Sequence, residues 1–271
     1  MANLHVRSNS LPSKSHPIVS DVEDQLCRLR SSEGTSTSAT SVIAKLASLR
    51  DLHEGINSLL QMPSTQQALC HENSEKWTNK LLEESLGLVD LCGFARDVLS
   101  LTKGSVQDLQ SSIRRNKGEA AAEDDINSYM TSRKKINKMV KKFIRNFKNV
   151  DTEECDVKAI EVLKETEAFS FSVLKSVLIL LSGEKGKQRN WFFLSKFTQT
   201  SRVNSERDQE RGAKSLLSLE LHKSRKDIDV QNVLKQLKAS EMAIQELEEE
   251  VDAFFSSLVK TRVSLLNALN H

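Results

Sequence analysis

Residues 230–268 read VQNVLKQLKASEMAIQELEEEVDAFFSSLVKTRVSLLNA. Written as heptads, the seam is Val230, Val233, Leu237, Ser240, Ile244, Leu247, Val251, Phe254, Leu258, Thr261, Leu265 and Ala268, and ten of these twelve positions are apolar. That is a coiled-coil-grade stripe, and the spacing predicts one helix from about 229 to 267. At 1.5 Å per residue it would be roughly 60 Å long, which an elongated antiparallel bundle accommodates and a round globule does not. The seam can pack within its own chain or against a second chain. Phe254 and Phe255 suit a wider bundle better than a two-stranded coil, so intramolecular packing in a monomer is preferred.

Upstream, the punctuation agrees with a bundle. The 271 residues include 3 prolines, Pro12, Pro17 and Pro63, and 9 glycines, so nothing after Pro63 carries the turn chemistry of a Rossmann, barrel or sandwich fold. Aromatics are 5% and charged residues 28%. The chain divides into a Ser/Thr-rich leader, residues 1–40, expected to be disordered, and an all-α bundle over residues 41–271. In the leader, 8 of the 11 residues from Ser31 to Ser41 are Ser or Thr, too polar to fold alone. A short helical turn at Asp21–Arg30 is expected to dock through Val22, Leu26 and Leu29.

Periodic segments follow from Thr40 to the break before Pro63, from Ser74 to Arg115 with a break near Gly104, from Glu123 to Asn149, and from Thr152 to Leu181. Gly183–Asn190 reads as a charged loop. The aromatic cluster Trp191, Phe192, Phe193 and Phe197 follows it, then a polar, mobile stretch at Arg202–Gly212. The longest apolar run, Ala168–Leu181, spans 14 residues and contains Lys175, short of the roughly 20 that cross a bilayer.

Chemistry is sparse. Cys27, Cys70, Cys92 and Cys155 lie far apart with no Cys-x-x-Cys pair, which fits reduced thiols in the cytoplasm and no cofactor or metal. The N-terminus lacks a secretory apolar core and Ala2 excludes myristoylation, although the Ser-rich, acid-poor opening also resembles a transit peptide. Gly183–Lys187 lacks Walker A spacing, the six histidines form no His-x-x-x-His pair, and no Gly-x-Ser-x-Gly elbow occurs. An enzyme is not expected, and a net charge of +2 with no docking motif gives no nucleic-acid partner.

Two features rise above this background. Arg133, Lys134, Lys135, Lys138, Lys141, Lys142, Arg145 and Lys148 form a basic run with no acid among them. At 100° per residue, Ile136, Val140, Phe143, Ile144 and Phe147 share one side and the basic residues the other, with Arg133 at the margin. Bundle packing is the first reading of this helix, its basic face being solvated or meeting the acidic stretches Asp151–Glu167 or Glu241–Asp252. The alternative is peripheral contact with an anionic membrane, or with calmodulin. The second feature is Arg7-Ser8-Asn9-Ser10-Leu11-Pro12. Arginine at −3 and proline at +2 around Ser10, with Ser8 at −2, match what phosphoserine-binding adaptors of the 14-3-3 class read.

The strings Leu4-His-Val-Arg-Ser-Asn-Ser-Leu-Pro-Ser-Lys-Ser-His-Pro17, Pro63-Ser-Thr-Gln-Gln-Ala-Leu69 and Leu82-Glu-Glu-Ser-Leu-Gly-Leu-Val-Asp-Leu-Cys92 also resemble a plant-specific family of helical proteins similar to the BYPASS group. Ala95-Arg-Asp-Val-Leu99, Leu109-Gln-Ser-Ser-Ile-Arg-Arg115 and Ser132-Arg-Lys-Lys135 extend the resemblance, and the C-terminal third follows it as helix pattern. The resemblance implies a part in root and shoot development by restraining a mobile root-derived signal, and no catalytic residues. Where that family carries Gly before the Ser of Leu-Leu-Asp-Gly-Ser, this chain has Glu83-Glu84-Ser85, a helix-favouring departure.

Overall fold

The computed structural model describes residues 16–31, 38–71, 74–115, 119–146, 157–182 and 230–270. Among them are α1 (Pro17–Ser31), α2 (Ala39–Leu60), α3 (Pro63–Leu69), α4 (Glu75–Arg115), α5 (Glu119–Asn146), α6 (Lys158–Ser182) and α7 (Val230–Leu269), with no strand among the described residues. Local chemistry sets several ends. Ser38 caps α2, its side chain accepting from the Ser41 amide at 3.2 Å. Pro63 opens α3 at its first turn, where its missing N–H costs nothing. The expected break at Gly104 is absent: α4 runs 41 residues unbroken, because a lone glycine costs only about 1 kcal/mol in a helix and the flanking turns are packed through Thr102 and Val106.

Side-chain pairs fix the directions. Along α4 and α7, Arg262 meets Leu82, Arg96 meets Asp252, Lys103 meets Glu248 and Gln110 meets Glu241, so these two run antiparallel. Arg50 with Glu250 and His53 with Thr261 make α2 parallel to α7. Thr102 with Arg133 and Phe94 with Phe143 make α5 antiparallel to α4. Glu23 with Lys158 and Arg30 with Glu165 align α1 with α6.

The packed pairs α4–α7, α7–α2, α2–α6 and α6–α4 close a four-sided bundle. Around it, α5 lies against α4 and α6, and α1 against α2 and α6, while α3 meets α6 and α7. α1 is longer than the turn expected at 21–30, and it buries Val22, Leu26 and Leu29 as the spacing predicted. It approaches α2 at Gly55, where an added Cβ would stand 2.9 Å from Val22 Cγ2. Nine of the twelve seam positions of α7 are buried, all but Val230, Ser240 and Thr261, and they are covered by this chain's own α2 and α4. Burying that stripe is the main favourable term holding the bundle together. The loop at 183–190, the aromatic cluster at 191–197 and the stretch 202–212 lie outside the described residues.

Candidate functional site

α5 is the element on which the basic run falls. Ile126, Tyr129, Ile136 and Val140 form its buried side, and Phe143 stacks on Phe94 of α4 with ring centres 3.8 Å apart and planes 6° from parallel. Ile144 is half-buried against the same core. The opposite side exposes Lys134, Lys135, Lys138, Lys141, Lys142 and Arg145. Phe147 and Lys148 lie outside the described residues, as do Arg7, Ser8, Ser10 and Pro12 of the leader.

Arg133 does not belong to that face. It is 8% exposed, with Nη1 donating to Thr102 Oγ1 at 3.4 Å and Nη2 to the Leu181 carbonyl oxygen. The helical phase explains it: at 100° per residue Arg133 falls between Val140 and Ile144, inside the apolar arc and not at its margin. The Leu181 carbonyl is one of the last four of α6, which have no partner within their own helix, so the guanidinium caps α6 at its negative end. Burial pulls the Arg133 pKa down, and the neighbouring Tyr129 pulls it back up.

Several described acids of the two acidic stretches pair with helices other than α5. Asp252 and Glu248 pair with Arg96 and Lys103 of α4 at 2.5 Å each, and Glu250 with Arg50 of α2 at 3.2 Å. Gln107, Gln110 and Lys238 surround Glu241 and hold its pKa down at about 2. Glu165 pairs with Arg30 of α1. These partners lie on α1, α2, α4 and α7 itself; Asp151, Glu153, Glu154 and Asp156 lie outside the described residues.

A second locus was not legible as a motif. Where α2, α4, α6 and α7 meet, His53, Ser85, Thr166, Glu167, Thr261 and Arg262 line a cavity of about 20 Å³, the size of a single water. His53 Nε2 lies 3.0 Å from Ser170 Oγ and Nδ1 3.0 Å from Thr261 Oγ1, and its ring meets Phe254 edge-on at 5.4 Å. The Ser170 hydroxyl donates to the Thr166 carbonyl at 2.8 Å. It therefore accepts from Nε2–H, and Nδ1 accepts from Thr261. The proton points away from a relay, and Ser170 is fully buried, so this His–Ser contact holds helices together and activates no nucleophile. Burial drives His53 down to about 4, a neutral ring at ordinary pH.

Beside it, the buried carboxyl of Glu167 on α6 faces that of Glu84 on α4. Burial first, then the Glu84 charge and hydrogen bond, push the Glu167 pKa well up, against Arg262. Arg262 Nη1 spans the junction, donating to the Leu82 carbonyl at 2.5 Å and Ser85 Oγ at 2.7 Å. The only sequence signal was phase: His53 sits one turn from Leu49 and Ile56, and Glu167 one turn from Leu163 and two from Leu174.

Among the described residues, no group of three or more His, Cys, Asp and Glu could hold a metal ion, and no helix is long and apolar enough to cross a membrane. Cys27 and Cys70 are exposed free thiols, and Cys92 is buried and held up at about 12 by its apolar surroundings; Cys155 lies outside the described residues.

Long helices closed into one bundle, a polar junction serving packing and the lysine-rich outer face of α5 define, among the described residues, an all-α helical protein without a recognisable catalytic constellation. The family model for Protein BPS1 matches residues 45–268, and the chain belongs to that family. This agrees with the resemblance to the BYPASS group and implies a role in plant development; the family is not known as an enzyme family. No curated protein and no solved structure gives a significant match to the chain.

Proposed function

We propose that the protein is a non-enzymatic interaction factor in root and shoot development, acting through the outer surfaces of a closed bundle. One observation carries this reading. The apolar stripes of α5 and α7 are turned inward, while Lys134, Lys135, Lys138, Lys141, Lys142 and Arg145 are displayed together on one outer face. A basic face of this kind attracts an anionic partner without any chemistry in the core. Proximity labelling in plant cells tests it, comparing the full chain with the variant Lys134→Gln/Lys135→Gln/Lys138→Gln/Lys142→Gln. The expected result is a set of labelled neighbours that the folded variant loses; an unchanged set overturns the assignment to this face.

The leader supplies a second contact in the same reading. Phosphorylation of Ser10, with Arg7, Ser8 and Pro12 around it, would present an anionic group to a phosphoserine-binding adaptor. A phosphopeptide of residues 4–16 is expected to bind such an adaptor at tens of micromolar or tighter, and its unphosphorylated form is not; equal binding of both sinks the idea.

A further inference from the structure

The partner of the α5 face can be narrowed by its composition and by what lies beneath it. Its exposed cations are five lysines and one arginine, and no carboxylate interrupts residues 126–145. Lys134, Lys135, Lys138 and Lys142 form no ion pair among the described residues. The apolar side of the helix is committed: Ile136 and Val140 are buried and Phe143 is stacked on Phe94. Building on the reading that this face is a working surface, we propose that it docks the intact bundle on an anionic lipid surface. The helix lies flat there, and none of its core residues enters hydrocarbon.

Three physical arguments separate this partner from the others. Protein interfaces have a desolvated apolar or aromatic centre and are depleted in lysine; here the centre of the face is lysine and the aromatic ring points inward. Nucleic-acid recognition relies on bidentate arginine and on exposed aromatic stacking, and among the described residues the face has one arginine and no exposed aromatic. A lipid headgroup plane demands neither pockets nor fixed geometry, only hydrated positive charge within a Debye length, which lysine supplies best. By helical phase the exposed Met130 and Met139 flank the row on either side, so adaptable apolar tips border the charges at headgroup depth.

This mode differs from that of an inserting amphipathic helix. Insertion would require Phe143 to leave Phe94 and Val140 to leave the core, whereas surface docking leaves the helical content and the fold unchanged. It also has to be salt-sensitive, because the Debye length shrinks from about 10 Å at 0.1 M to about 3 Å at 1 M.

The test is co-sedimentation of the full chain with phosphatidylcholine vesicles and with vesicles containing phosphatidylserine, at low and high salt, with circular dichroism throughout. The wild type is expected to pellet with the phosphatidylserine vesicles alone, to be released by salt and to keep its spectrum. Lys134→Gln/Lys135→Gln/Lys138→Gln/Lys142→Gln is expected to bind them on the order of 600-fold more weakly, at about five-fold per lysine. Absence of pelleting with anionic vesicles, equal pelleting with neutral ones, or salt-insensitive binding overturns the proposal from the wild type alone, whatever the variant's stability. If vesicles fail while proximity labelling still depends on the four lysines, the partner is an acidic macromolecule and only the lipid assignment falls. If both fail, the face itself is not a working surface.

Discussion

Arg133 and Lys134 are neighbours of like charge with opposite fates. Arg133 is buried and caps the end of α6, while Lys134 points to solvent. Arg133→Ala should therefore cost on the order of 2 kcal/mol, as expected for a charged hydrogen bond and an orphaned carbonyl. Lys134→Ala should stay within about 0.5 kcal/mol, and denaturant unfolding of both variants checks the pair. His53 makes stability acid-sensitive. The unfolded ring takes a proton near pH 6.5 and the folded ring only near 4. Stability therefore falls as pH drops through that interval, by roughly 3 kcal/mol in total. His53→Gln should lose that part of the slope in denaturation midpoints measured between pH 4.5 and 7. Glu167 acts in the other direction. Its pKa is raised in the fold, so the folded state holds a proton that the unfolded chain releases, and stability is lost as pH rises above the ordinary carboxyl range. Relative to wild type, Glu167→Gln should become progressively more stable with rising pH; a constant offset between the two would contradict the raised pKa.

α1 lies outside the four-sided bundle and approaches α2 most tightly at Gly55, so its docking can be separated from the fold. Gly55→Val would drive a branched side chain into Val22, already 2.9 Å from the position of a bare Cβ. Amide exchange of α1 should accelerate towards the free-helix rate while α4 and α7 remain protected. The legibility of the other helices followed their phase. α2, α4, α6 and α7 have apolar positions recurring every three or four residues, and each ends within a few residues of where that pattern stops. α5 was legible as a helix too. Phase at 100° per residue separates its two faces, but a place at the margin is wrong for Arg133, whose own phase falls between Val140 and Ile144 inside the apolar arc.

Across the whole molecule, α7 is the shared wall of the bundle, packed on α2 and α4 at once. Phe254 is fully buried where His53 meets it. Phe254→Ala should cost about 3–5 kcal/mol and lower the midpoint of a single transition, with helical content and core packing lost together. Since the seam of α7 is spent inside its own chain, light scattering is expected to give a monomer mass, and a dimer mass would point to a surface other than this seam.

The sequence by itself determined that the chain is helical, where its long helices run, and that one helix carries a basic face, because periodicity and the scarcity of proline are local properties. Only the tertiary structure decided which acids neutralise which bases, that Arg133 serves α6 and not the surface, and that His53, Glu84, Glu167 and Arg262 converge. Those residues lie up to some two hundred positions apart and come together on four helices. No local pattern encodes their meeting; the packing of apolar stripes brings it about, and burial then sets their charge.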